Sequence, residues 1–118
     1  MSDKSQLSDQ VESSTHNVER IATNFYYIPK QHDTLFDVGL FYHAIKDYER
    51  AIKYYEKSQQ YFGYQFSTYY NKALCQYALG NLIGALANFR SSLEANPDAK
   101  TAREWIDYVE KERADGML

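Results

Sequence analysis

Pro29, Gly63 and Pro97 divide the chain at equal steps, a period of about 34 residues. Between these markers run two segments that align without a gap. The first is DTLFDVGLFYHAIKDYERAIKYYEKSQQYFG, from Asp33, and the second is STYYNKALCQYALGNLIGALANFRSSLEANP, from Ser67. A period of this size frames copies of one helical hairpin. A single hairpin cannot bury its apolar face alone, so the copies must stack.

Local signals divide each copy into two helices. The pattern predicts helices over about 33–45, 48–61, 67–79 and 82–95, with a last one over about 98–113 after Pro97-Asp98. Asp33 or Thr34 can cap the first, Asp47 the second and Asn81 the fourth, because their side-chain oxygens accept from free backbone N–H groups. Gly80 suits the left-handed residue that follows a helix. In the last helix Ala102, Trp105, Ile106 and Val109 form an apolar stripe, and Lys100, Arg103, Glu104, Asp107, Glu110 and Lys111 cover the rest. One apolar and one charged face is what an end-capping helix needs. No strand pattern appears, so the expected fold class is all-α.

The remaining residues set boundaries. Residues 1–15 are rich in Ser, Asp, Gln and Glu, the composition of a disordered tail, and 16–118 form the expected helical domain. Val18, Ile21, Ala22, Phe25 and Tyr26 fall at helical spacing, as a single helix or the degenerate last helix of a preceding repeat. The net charge of −3 argues against binding by phosphate neutralisation, so no nucleic-acid partner is expected. No apolar run approaches the ~20 residues of a membrane span, and the N-terminus lacks a signal-peptide core. A single cysteine, Cys75, excludes an internal disulfide. These features predict a cytoplasmic protein with no membrane partner.

The two segments resemble the tetratricopeptide repeat, a helix–turn–helix unit. Small residues recur where its helices cross: Gly39 and Ala73, Ala51 and Ala85, Ser58 and Ser92. A large side chain at such a crossing overpacks, typically by about 1–3 kcal/mol. Tyr55 and Phe89 occupy the place of the aromatic that fills the hairpin. Leu35 and Tyr69, then Tyr48 and Leu82, take the other apolar places, while Lys46 stands where the family usually has Gly and Lys72 where it is usually apolar. The resemblance implies a short right-handed α-solenoid of antiparallel hairpins, with repeats at about 32–65 and 66–99 and a cap at about 98–113.

By the same resemblance, the first helices of successive hairpins line a concave groove. Its candidate partner-binding residues are Phe36, Asp37, Leu40, His43, Tyr70, Asn71, Leu74 and Tyr77, with Trp105 and Tyr108 added by the cap helix. Exposed aromatics are frequent anchors of protein recognition. The alternative for Trp105, Tyr108 and Leu74 is simple packing between repeats. Chaperone-binding members of the family clamp a C-terminal carboxylate with a set of Lys, Arg and Asn side chains. Here those places hold Phe36, Leu40, Asn71, Thr101 and Trp105, of which only Asn71 matches, so that clamp is not expected.

Catalytic readings are weaker still. His16, His32 and His43 are scattered, with no H-x-x-x-H metal pair. His43 and Asp37, six residues apart, do not share adjacent turns of one helix face, and His43 is expected as a partly exposed groove or interface residue. Cys75 reads as a buried structural thiol. Pairs such as Glu49–Lys53 and Asp107–Lys111 suit a solvated outer face. No enzyme, metal or cofactor is implied. The expected role is protein–protein interaction, as an adaptor or assembly factor. The alternatives are a small secretion-type chaperone shielding an aggregation-prone client, or a self-associating subunit using aromatics such as Tyr54, Tyr61, Phe62, Tyr64 and Phe66 in a homodimer.

Overall fold

A computed structural model of the chain describes residues 34–116. The expected tail and the helix expected at about 17–27 lie outside these residues. Among the described residues there are five α-helices and no strand: α1 (Thr34–Ala44), α2 (Tyr48–Phe62), α3 (Phe66–Ala78), α4 (Leu82–Ala95) and α5 (Lys100–Gly116). Each helix packs on the next one in sequence, giving two hairpins and a capping helix in a helical-repeat solenoid.

The turns within the two hairpins are the same structure, one repeat apart. Lys46 N–H donates to the His43 carbonyl at 3.1 Å, and Asp47 N–H to the Tyr42 carbonyl at 2.8 Å. Gly80 and Asn81 repeat the pair with Tyr77 and Gln76, both at 2.9 Å. This is the Schellman arrangement, which satisfies carbonyls that the helix end would leave free. It needs a left-handed residue, and Lys46 (φ +67°) and Gly80 (φ +83°) both adopt that conformation. The next residue caps the following helix: Asp47 Oδ1 accepts from Arg50 N–H at 3.3 Å and Asn81 Oδ1 from Gly84 N–H at 3.0 Å.

The six small residues expected at helix crossings are all buried. At Gly39 an added Cβ would lie 2.7 Å from Cδ1 and Cε1 of Tyr55, so the missing side chain is what admits the Tyr55 ring. Two apolar clusters result. Phe36, Tyr48, Ala51, Tyr55 and Cys75 join the first hairpin to α3. Tyr70, Leu74, Leu86, Phe89, Ala102 and Val109 lie among those that join the second hairpin to α5. Two ion pairs bridge neighbouring helices at the surface: Lys72–Glu56 between α3 and α2, and Arg90–Glu110 between α4 and α5. Glu49, Lys53, Asp107 and Lys111 stand exposed, as a solvated outer face requires.

Inside the first cluster sits a polar link between three helices. The Tyr55 hydroxyl lies 3.0 Å from His43 Nδ1 and is also hydrogen-bonded to the Asn71 side chain. All three residues are fully buried. Such a link is stable because the polar groups taken from water bond to one another. Burial in this apolar setting pushes the Tyr55 phenol well above its ordinary pKa; the nearby Cys75 adds to the rise and the Asn71 hydrogen bond opposes it.

Two outcomes follow for stability. Tyr55→Phe keeps the ring and removes the hydroxyl, so urea unfolding should show a loss of about 1–3 kcal/mol. That loss should shrink as pH rises past about 10, where the unfolded tyrosine ionises and the buried one does not. At the turns, Gly80→Ala should cost about 1–2 kcal/mol, because no neighbour lies within 4 Å of the added Cβ and only the left-handed backbone opposes it. Lys46→Gly should shift the urea midpoint in the opposite direction.

Candidate functional site

The groove positions separate into a closed set and an open set. Phe36, His43, Tyr70, Asn71 and Leu74 are buried, five of the ten candidates. His43, expected to be partly exposed, is instead fully enclosed, with Tyr48 and Tyr55 edge-on to its ring and its Nδ1 at the Tyr55 hydroxyl. Asn71 is committed to the same hydroxyl. Phe36 lies against the Tyr55 ring at 5.6 Å between centroids, and Tyr70 is edge-on to Phe89 at 5.6 Å. These side chains are enclosed between the packed helices and are not displayed at the surface.

The open set is Asp37, which is exposed, Leu40, Tyr77 and Trp105, which are half-buried, and Tyr108, 48% exposed. Three of these five form one aromatic corner where α3 meets α5. The Trp105 ring stacks on Phe89 at 5.3 Å with an interplanar angle of 9°. Tyr77 meets Trp105 edge-on at 5.1 Å, and Tyr108 is perpendicular to Trp105 at 5.8 Å. The Tyr77 hydroxyl donates to Glu112 Oε1 at 2.8 Å and lies 3.5 Å from the Tyr108 hydroxyl. Partial burial, then these hydrogen bonds and the Glu112 charge, hold the Tyr77 phenol above its ordinary pKa, so it remains a neutral donor. Tyr70 anchors the base of the corner through hydrogen bonds to Thr101 and Trp105, and its own pKa is raised chiefly by burial.

Why this corner forms is visible in α5. Trp105, Tyr108 and Glu112 follow one another at steps of three and four, the spacing of a single helix face. Their neighbours Ala102 and Val109 are fully buried against the second hairpin, which fixes the rotation of α5 about its axis. Glu112 was not among the sequence candidates. Its place one turn beyond Tyr108 was the available signal.

The other chemistry suggested by the sequence is not assembled. Asp37 is exposed while His43 is enclosed, so they do not form an acid–base pair. Cys75 is a buried free thiol in the first cluster. At the places of the carboxylate clamp, Phe36 and Asn71 are buried and Leu40 is half-buried. Among the described residues, no group of three or more His, Cys, Asp or Glu could hold a metal ion, and no helix is long and apolar enough to cross a membrane.

With the hairpins in place, comparison with known proteins is informative in one respect. The family model described as tetratricopeptide repeat matches residues 32–61 and 66–99. No curated protein and no solved structure gives a match. The matched spans are the two hairpins described above, and repeats of this kind generally mediate protein–protein interaction. The chain belongs to the tetratricopeptide-repeat family.

Proposed function

We propose that the chain is a non-catalytic adaptor or assembly factor that holds a peptide or partner helix on the open strip of its groove. The observation that carries this reading is the corner of Tyr77, Trp105 and Tyr108. Its rings are locked by one another and by Phe89, yet Tyr108 remains half open to solvent. Rigid aromatics lose little conformational freedom on binding and bury a large area, which is why they dominate recognition surfaces. Glu104, which is exposed, and Glu112 add acidic groups on the helix that carries Trp105 and Tyr108, and exposed Asp37 adds one on α1. They favour a partner segment that sets a Lys or Arg beside its apolar anchor.

A homodimer is the second reading. It is favoured by the α2–α3 connection, where Tyr61 is 74% and Tyr64 66% exposed. Tyr64 stacks on Tyr69 at 5.8 Å, so part of that edge is ordered by its own contacts. A client-shielding chaperone would use the same strip as the adaptor and differ in the client.

The test is affinity capture from native extract with wild type, Tyr108→Ala and Tyr61→Ala baits, each checked for unchanged helix content by circular dichroism. The expected outcome is a partner retained by wild type and by Tyr61→Ala. The Tyr108→Ala bait should lose it, with affinity falling on the order of tenfold or more. Recovery of only the bait's own chain, abolished by Tyr61→Ala, would replace the adaptor reading with the homodimer. A partner held equally by all three baits would move the site off the corner.

A further inference from the structure

One face of the first hairpin is built unlike its counterpart in the second. In the second hairpin Gln76 of α3 meets Asn88 of α4, whose amide donates to Gln76 Oε1 at 2.7 Å. One repeat earlier the equivalent residues are Tyr42 of α1 and Tyr54 of α2. Their rings stack at 5.7 Å with an interplanar angle of 19°. Beside them on α2 stand Arg50, Lys53 and Lys57, whose equivalents on α4 are Gly84, Ala87 and Ser91. The repeat therefore folds with a small neutral face at these places, and the first copy carries a basic and aromatic one instead.

Arg50, Lys53 and Lys57 follow one another at steps of three and four, so they share one face of α2. The strip runs about 10 Å along the helix. Like charges at these steps oppose helix formation, and carboxylates of the chain do little to offset them. Arg50 meets Asp47 at 3.5 Å with its side chain well exposed, which leaves that pair weak. Among the described residues, neither Lys53 nor Lys57 is ion-paired, and Glu56 is taken by Lys72. The two outer cations are seated on the ring stack instead. The Arg50 guanidinium carbon lies 5.7 Å from the Tyr42 ring centroid, and the Lys57 ammonium 5.0 Å from that of Tyr54. A cation on a ring keeps its charge, and it has given up part of its freedom before any partner arrives.

We infer that Arg50, Lys53 and Lys57, with the Tyr42–Tyr54 stack beneath the outer two, form a docking surface for an acidic helical segment of a partner protein. Glu or Asp at steps of three and four on such a segment repeats the spacing of the three cations, so charge meets charge along the strip. A continuous polyanion fits less well. Exposed Glu49 and Glu56, seven residues apart, border the strip, and the net charge of the chain is −3. Both repel a nucleic-acid backbone or an anionic membrane. The surface is carried by α1 and α2 and shares no residue with the corner of Tyr77, Trp105 and Tyr108. It stands whether or not that corner binds a partner.

The test uses the full chain and substitutions that the second hairpin already carries. A fluorescein-labelled helical peptide with Glu at steps of three and four is titrated by anisotropy, beside the same peptide with Gln for Glu. The wild type should bind the Glu peptide in preference, with affinity falling as salt is raised. Lys53→Ala with Lys57→Ser should weaken binding on the order of tenfold or more without lowering Tm. Lys100→Ala with Lys111→Ala removes the same charge from α5 and should leave affinity unchanged. Tyr42→Gln with Tyr54→Asn keeps every cation and should weaken binding less than the lysine pair does. Equal affinity of the wild type and the Lys53/Lys57 variant, or no preference for the Glu peptide, would overturn the proposal. So would tighter binding to a single-stranded oligonucleotide or to anionic phospholipid vesicles, lost in the same variant, because the partner would then be a phosphate surface. Full affinity in the tyrosine variant would overturn the seating of the cations on the rings.

Discussion

The Tyr55 ring and its hydroxyl are the constraint on which the rest of the first repeat depends. The ring enters the hairpin only because Gly39 has no side chain to stop it at 2.7 Å. The hydroxyl then joins His43 of α1 and Asn71 of α3, so one residue of α2 fixes three helices in register. A purely apolar crossing tolerates sliding by small steps, whereas buried polar groups must meet their partners at hydrogen-bonding distance. The second hairpin has Phe89 at the equivalent place, with no hydroxyl to share. It relies on ring contacts instead, with Trp105 stacked on Phe89 at 5.3 Å and Tyr70 edge-on to it at 5.6 Å.

This difference between the repeats decides which of the candidate residues reach the surface. His43 and Asn71 are drawn inward by the Tyr55 hydroxyl, and of the candidates on α1 only half-buried Leu40 and exposed Asp37 remain accessible. At the other end Tyr77 turns its hydroxyl to Glu112 and Tyr108, and the aromatic edges stay near the surface. On the proposed function, stability and recognition would fall to different aromatic residues of one fold. On the proposed reading, a change at Tyr55 acts through folding and a change at Tyr108 through contact with a partner.

Much of the fold was legible because its signals are local. Asp47 and Asn81 cap helices through their own side chains, and Gly80 takes the left-handed turn that its missing Cβ permits. Lys46 takes the same turn at φ +67°, so the repeat imposes that conformation even where the residue resists it. The small residues at the crossings were legible from the period. The split of the groove was not. Helical spacing gives the direction in which His43, Tyr70 and Asn71 point, but whether another helix closes over them depends on the reach of Tyr55 and Trp105 from elsewhere in the chain. The ion pairs Lys72–Glu56 and Arg90–Glu110 were hidden for the same reason: their partners sit on different helices, far beyond the spacing of adjacent turns.

The most direct test of the central claim is native-state hydrogen exchange of wild type and Tyr55→Phe across added urea, read amide by amide. If the Tyr55 hydroxyl ties α1, α2 and α3 together, the slowest amides of these helices will share one opening free energy in the wild type. In Tyr55→Phe that shared value will fall, and α1 will begin to open separately. Independent opening of α1, α2 and α3 in the wild type, or an unchanged pattern in the variant, would contradict the account.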